Sequence, residues 1–145
     1  MENFWDKRYA GADYLFGTKP AAGLIALEPH LVAGGKTLVV ADGEGRNSVY
    51  LASRGYDVRA TDYSQVAQEK AKALAKEAGV DVDFVLSDIY DAGWSDEAYD
   101  NVVAIFIQFV PPERMDEIFN ALARAIRSGG TLLIHGYTPE QVALG

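Results

Sequence analysis

Thr37-Leu-Val-Val-Ala-Asp42-Gly-Glu-Gly-Arg-Asn-Ser48 decides how the rest of the chain is read. Thr37 to Ala41 is an apolar run of the length of a buried strand, and it ends in an acid, Asp42. A Gly43-Glu44-Gly45 turn follows, and Arg46-Asn47-Ser48 opens a helix-like segment through Val49-Tyr-Leu-Ala-Ser-Arg54. Strand, tight turn and helix start thus fall within a dozen residues. In an open α/β sheet that arrangement puts a ligand at the carboxyl end of the first strand.

Two ligand classes use such a loop, and the charges separate them. A dinucleotide would lay its pyrophosphate on backbone N–H groups and the positive end of the helix. Asp42 and Glu44 oppose a pyrophosphate. They suit a ligand with a cationic end, such as the ammonium of S-adenosylmethionine, whose sulfonium is also positive. Ser48 stands where the dinucleotide fingerprint has its third glycine. A Gly-x-Gly turn alone has a plainer explanation, a backbone that needs positive φ, so the flanking acids carry the reading.

With 145 residues, 49% of them hydrophobic and 23% charged, the chain fits one domain (1–145) with a real core. No apolar run approaches a membrane span. Met1-Glu-Asn-Phe-Trp-Asp has neither the basic nor the apolar region of a signal peptide, so the expected compartment is the cytoplasm. Zero Cys excludes disulfides and thiolate chemistry, and with only two His no metal centre is expected. A formal net charge of −8 opposes nonspecific binding to nucleic acid. A small-molecule substrate fits this balance better.

Residues 1–20 are rich in aromatics: Phe4, Trp5, Tyr9, Tyr14 and Phe16, then Gly17-Thr18-Lys19-Pro20. They read as a lid that packs on the core and closes over a ligand. Residues 20–32 read as a short helix with Leu24, Ile25, Leu27 and Leu31 apolar and Pro29 ending or distorting it; His30 reads as a surface residue. Gly55 caps the helix after the glycine loop. Tyr56 to Asp62 alternates as a second strand. Asp62 falls nineteen positions after Gly43, the spacing that sets an acid beside a ribose at the neighbouring strand tip. Ser64 is better placed than Asp62 to cap the next helix. That helix, 64–78, carries Ala67, Ala71, Leu74, Ala75 and Ala78 as its apolar stripe; its lysines and glutamates read as solvated surface.

Val82 to Ser87 reads as a third strand, and Asp88 at its tip suits an adenine amino group, with Ile89 and Tyr90 packing on the ring. Tyr99 to Val110 is the longest apolar run, a central strand buried on both faces that ends near Ile105 or Phe106. Gln108 would then stand in the pocket mouth. Pro111-Pro112 opens a helix with Met115, Ile118, Phe119, Leu122 and Ile126 as its buried stripe. Ser128-Gly129-Gly130 ends that helix, and Thr131 to Tyr137 reads as a fifth strand, with His135 near its carboxyl end. Strands alternating with helices give an α/β fold, a doubly wound parallel sheet.

Together these residues resemble the class I S-adenosylmethionine-dependent methyltransferases over essentially the whole chain, in the small bacterial subgroup related to tellurite-resistance and thiopurine methyltransferases. Val39 to Ser48 looks like that subgroup's first motif, Asp62 and Asp88 match its strand-tip acids, and Asp100 to Phe106 its fourth-strand motif. Trp5 to Tyr9 and Phe16 to Pro20 are similar to its N-terminal segment, and Gly136 to Gln141 to its signature after strand five. The resemblance implies a three-layer Rossmann-like sheet of five strands in the order 3-2-1-4-5. It implies that Asp42, Gly43, Glu44 and Gly45 hold the cofactor's methionine end, Asp62 the ribose, and Asp88, Ile89 and Tyr90 the adenine. Phe16, Gly17, Thr18, Arg46, Asn47, Tyr63, Ser64, Ile105 and Phe106 would complete the cofactor site. S-adenosyl-L-homocysteine is then the product, the acceptor is a small molecule, and Tyr9, Gln108 and His135 are the candidate substrate-side groups. Gln108 stands where relatives commonly have His, and His135 where they have Glu. The family fold continues past the equivalent of Gly145 into strands six and seven, so the fifth strand is expected to be an open edge covered in a homodimer. A non-catalytic S-adenosylmethionine-binding module is the alternative, and a nicotinamide-binding protein is disfavoured by Asp42 and Glu44.

Overall fold

The computed structural model describes residues 19–87, 98–105 and 112–135. Helix α1 (Ala22–Leu27) runs into a 3-10 turn (Glu28–His30) and leads to β1 (Lys36–Val40). Then come α2 (Arg46–Ser53), β2 (Asp57–Asp62), α3 (Gln65–Ala78), β3 (Asp83–Leu86), β4 (Tyr99–Ile105), α4 (Pro112–Ala125) and β5 (Ile126–His135). The five strands form one sheet in the order β3-β2-β1-β4-β5, and every neighbouring pair is parallel. This is the expected α/β architecture and strand order.

β1 shows why its sequence is continuously apolar. Thr37, Leu38, Val39 and Val40 are all buried, but they serve opposite faces. Leu38 and Val40 pack with Val102, Ala104, Ile118 and Leu122 beneath α4, whereas Val39 packs with Leu24, Leu51 and Val103 beneath α1 and α2. A parallel strand covered on both faces has no solvent side to mark with polar residues. Turn chemistry sets the ends of the flanking helices. After α2, Gly55 adopts φ 95°, its N–H donates to Ala52 O (3.1 Å) and the N–H of Tyr56 donates to Leu51 O (3.2 Å). That hydrogen-bond pair needs a left-handed residue, hence glycine. Ser64 caps α3 by accepting from the N–H of Ala67 at 3.1 Å.

α1 is only six residues long and buries Leu24 alone, leaving Ile25 50% exposed. Three expectations are corrected. Phe119 is 36% exposed, so the buried stripe of α4 is narrower than its apolar pattern and rests on Ile118, Leu122 and Ala125. Ile126 is not on that helix: α4 ends at Ala125, and β5 begins at once, pairing Ile126 with Tyr99. The ladder then shifts register and resumes at Asn101↔Thr131, running to Ile105↔His135. The expected start at Thr131 is therefore the start of the regular ladder, not of the strand. Residues 127–130 follow a close path along β4: a Cβ on Gly130 would lie 2.5 Å from the Asp100 carbonyl oxygen, and Arg127 pairs with the Asp100 carboxylate. Pairing with Tyr99 and Asp100, invisible in local periodicity, overrides the helix-stop signal of Ser128-Gly129-Gly130.

One polar residue in the longest apolar run has a structural role that the sequence pattern does not reveal. Asn101 is fully buried at the amino end of β4. Its carbonyl accepts from the N–H of Val32 (2.7 Å), and its amide donates to Val32 O (3.0 Å) and to Thr37 Oγ1 (3.1 Å). It thereby pins the connection entering β1 to the central strand. Asn101→Leu should destabilise the fold by roughly 2–3 kcal/mol, since it leaves several buried polar groups without this partner. Urea unfolding checks this, and a change under about 0.5 kcal/mol would contradict the pinning role.

Candidate ligand site at the strand tips

The chain leaves β1 through a turn with three positive φ values: Ala41 at 51°, Gly43 at 66° and Gly45 at 94°. Two are glycines, as the conformation favours. Ala41 is the non-glycine exception, and a β-carbon in this region is uncommon enough to mark local constraint. Gly45 is required on a second count. A Cβ there would lie 2.8 Å from the Ala71 Cβ and 2.9 Å from its Cα, so the loop rests directly against α3.

Every acid of the loop is held by the protein. Asp42 is 7% exposed; its Oδ2 accepts from the Ser48 hydroxyl at 2.6 Å and its Oδ1 from the Ser48 N–H at 3.2 Å. Its own N–H donates to Thr61 O (3.0 Å), which ties the turn to β2. Burial pushes the Asp42 carboxyl up to about 7; the Ser48 hydroxyl opposes that rise, and the nearby Asp62 charge adds to it. Glu44 is 4% exposed and forms an ion pair with Lys70 Nζ at 2.8 Å. Neither carboxylate is an exposed anion turned out of the turn: one is desolvated against Ser48, the other is compensated by a lysine. Lys70, which reads from sequence as solvated surface, is 16% exposed and paired with Glu44. The only sequence signal was its place beside Ala71, on the border of the apolar stripe.

Asp62 ends β2 and reaches both neighbouring turns. Its Oδ1 accepts from the Gly43 N–H (3.0 Å), and its Oδ2 accepts from the Ser64 N–H (2.9 Å). One carboxylate at a strand tip thus joins the glycine loop to the start of α3. Asn47 is buried, and its side-chain carbonyl accepts from the N–H of Ala21 at 2.9 Å, fastening the segment before α1 to the loop. Arg46 is partly exposed on the first turn of α2, and Tyr63 is 53% exposed beside Asp62. Ile105 is 6% exposed and ends β4, where it pairs with His135. So Asp42 to Asn47, Asp62, Tyr63 and Ser64 form one contiguous rim over the carboxyl ends of β1 and β2. Ile105 ends the strand next to β1. Tyr9, Phe16, Gly17, Thr18, Asp88, Ile89, Tyr90, Phe106 and Gln108 lie outside the described residues, as does Gly136 to Gln141. Among the described residues no cluster of His, Asp and Glu could hold a metal ion.

The methyltransferase-domain family matches residues 38–130, from β1 to the approach of the last regular ladder, and the chain belongs to that family. A phosphatidylethanolamine N-methyltransferase of Cereibacter sphaeroides is 30% identical over 131 residues, 88% of this chain and 64% of that protein. The probable S-adenosyl-L-methionine-dependent methyltransferase TehB of Haemophilus influenzae is 26% identical over 134 residues, 92% of this chain and 44% of its own length. A crystal structure of TehB from Haemophilus influenzae superposes with a TM-score of 0.70 at 25% identity, over 92% of this chain and 44% of that one. The chain thus spans about a third to two thirds of the curated relatives it matches. The family expected from the sequence is the family found.

Two outcomes follow from the loop geometry. Gly45→Ala should lower stability by roughly 2–4 kcal/mol, because it combines a left-handed backbone with a sub-contact approach to Ala71; a melting curve matching wild type would refute the contact. The second concerns Asp42, whose folded-state pKa of about 7 lies above its ordinary value of 3.8. The folded protein then binds the extra proton, so the stability from Asp42 is full below pH 4 and lost as pH rises to 7. Asp42→Asn should therefore gain on wild type between pH 4 and 7, by an order of a few kcal/mol, and level off above. Paired urea titrations across that range measure it, and a pH-independent difference would place Asp42 in water.

Proposed function

We propose that the chain is the cofactor-binding and catalytic domain of an S-adenosylmethionine-dependent methyltransferase that acts on a small-molecule acceptor. The carrying observation is Asp62: a carboxylate at the second strand tip, aimed by the Gly43 and Ser64 N–H groups, beside a glycine turn in a methyltransferase-family chain. The donor set fits the cofactor. Asp62 stands where a ribose diol needs an acceptor, and Gly45 lets the turn settle directly against α3 beside it. Ser48 supports this over a dinucleotide. It is fully buried in a hydrogen bond to Asp42, in the place where a dinucleotide loop needs glycine for close helix packing.

In this reading Asp42 to Gly45 hold the methionine end, Asp62 the ribose, and Asp88 to Tyr90 the adenine. Phe16, Gly17, Thr18, Arg46, Asn47, Tyr63, Ser64, Ile105 and Phe106 complete the cofactor site. S-adenosylmethionine brings a methyl group already activated on a sulfonium, so the protein has to align the acceptor and exclude water more than to generate a nucleophile. Residues 1–20 act as the lid that excludes water, with Tyr9, Gln108 and His135 toward the acceptor. Among the described residues β5 lies at the edge of the sheet, and pairing of that edge with a second copy is the homodimer this reading proposes. No helix among the described residues is long and apolar enough to cross a membrane, and the net charge of −8 disfavours nucleic acid. A cytoplasmic enzyme fits both.

Calorimetric titration with S-adenosylmethionine, S-adenosylhomocysteine and NAD tests the cofactor assignment. The first two should bind, and Asp62→Ala should weaken both by roughly 100-fold or more, the loss expected for two hydrogen bonds to a charged acceptor. NAD affinity equal to that of S-adenosylmethionine, or an Asp62→Ala variant that binds normally, would overturn it. Release of S-adenosylhomocysteine with any member of an acceptor panel separates an enzyme from a binding module.

A further inference from the structure

Five ion pairs hold described residues together, and Lys70–Glu44 differs from the other four. Its side chains are 16% and 3% exposed, whereas the arginine of each other pair is 44–58% exposed. Exposed pairs are screened and contribute little. Breaking a buried pair is costly, because the surviving charge stays where water cannot reach it. The location adds to this. Glu44 and Gly45 are consecutive in the turn, Lys70 and Ala71 are consecutive on α3, and Gly45 abuts Ala71 with no space for a β-carbon. Two residues of the loop therefore dock on two residues of the helix, one contact steric and one ionic. The docked half is the part of the turn whose φ values are least favourable to ordinary residues, and Glu44 lies between its two glycines.

From this geometry we infer that Lys70 is a positioning residue for the cofactor: by holding Glu44 against α3 it fixes the glycine turn in its binding shape and sets cofactor affinity through that carboxylate. The inference rests on reading the turn as the S-adenosylmethionine site. It gives Glu44 a different task from a direct ligand to the cofactor's ammonium. The side chain is an anchor turned into the protein, and Lys70 is the other half of that anchor. A role confined to packing α3 against α2 would alter melting without coupling the two positions in ligand affinity.

The test is a double-mutant cycle read as S-adenosylhomocysteine affinity by calorimetry, with melting temperatures recorded in parallel. Lys70→Met and Glu44→Ala should each weaken binding at least tenfold. The double variant should be no more than threefold weaker than either single one, because the two residues act as one unit. Lys70→Arg, which keeps the charge, should bind within threefold of wild type. Should Lys70→Met fail to fold, Glu44→Ala carries the test, since Lys70 can still reach water in that variant. Normal binding by both single variants, losses that multiply in the double variant, or a loss in Lys70→Arg as large as in Lys70→Met each overturn the inference. Wild-type protein that binds no S-adenosylhomocysteine overturns the cofactor assignment itself and this inference with it; binding by wild type with an unaffected Lys70→Met overturns the inference alone.

Discussion

A strand buried on both faces must end somewhere, and at its end the chain needs polar groups again in a place water does not reach. β1 meets this constraint within eight residues: Asp42, Glu44, Asn47 and Ser48 are all buried just beyond Val40. Each would be costly there without a partner. Each has one, and the partners come from three directions. Asp42 takes Ser48 on α2, Glu44 takes Lys70 on α3, and Asn47 takes the Ala21 backbone ahead of α1. The requirement that no buried polar group go unanswered is what sews three helices to one turn. The turn's rigidity is then a by-product of desolvation.

The same requirement explains how the site is divided. Groups pulled inward do the holding, and Asp62, which is only partly buried, remains at the rim. Its carboxylate is oriented by two backbone N–H groups from two different turns, so its direction depends on both turns being in place. A binding site built this way is preorganised from beneath. The residues that shape it are more deeply buried than Asp62, which stands at its rim.

Much of this was legible in the sequence because it is written locally. The strand–turn–helix of 37–54, the caps at Gly55 and Ser64, and the acid at the second strand tip each depend on residues within a few positions of one another. The βαβ rhythm then leaves few sheet orders to choose from. What escaped depends on contacts across long separations. Lys70 reads as surface because nothing nearby reveals a glutamate 26 residues earlier. For Asp42 the sequence shows the charge but not the burial. Asn101 passes as an interruption in an apolar run until Val32, 69 residues away, supplies its partner. The early start of β5 was hidden likewise, since Ile126 is a strand residue only by virtue of Tyr99.

The position of β1 between β2 and β4 has a consequence for how the protein is made. Its pairing with β2 joins residues about twenty apart, whereas Thr37↔Asn101 closes a loop of more than sixty. The entropy of that closure must be met before the central ladder repays it, which slows assembly. Until β4 arrives, the buried strand at the centre of the sheet presents an unpaired edge and one bare face to the solvent. Synthesis therefore passes through a half-sheet that can recruit the same strand of another nascent chain, the species from which aggregates grow. The stretch that defines the finished protein is thus also the one most in need of protection while the chain is incomplete.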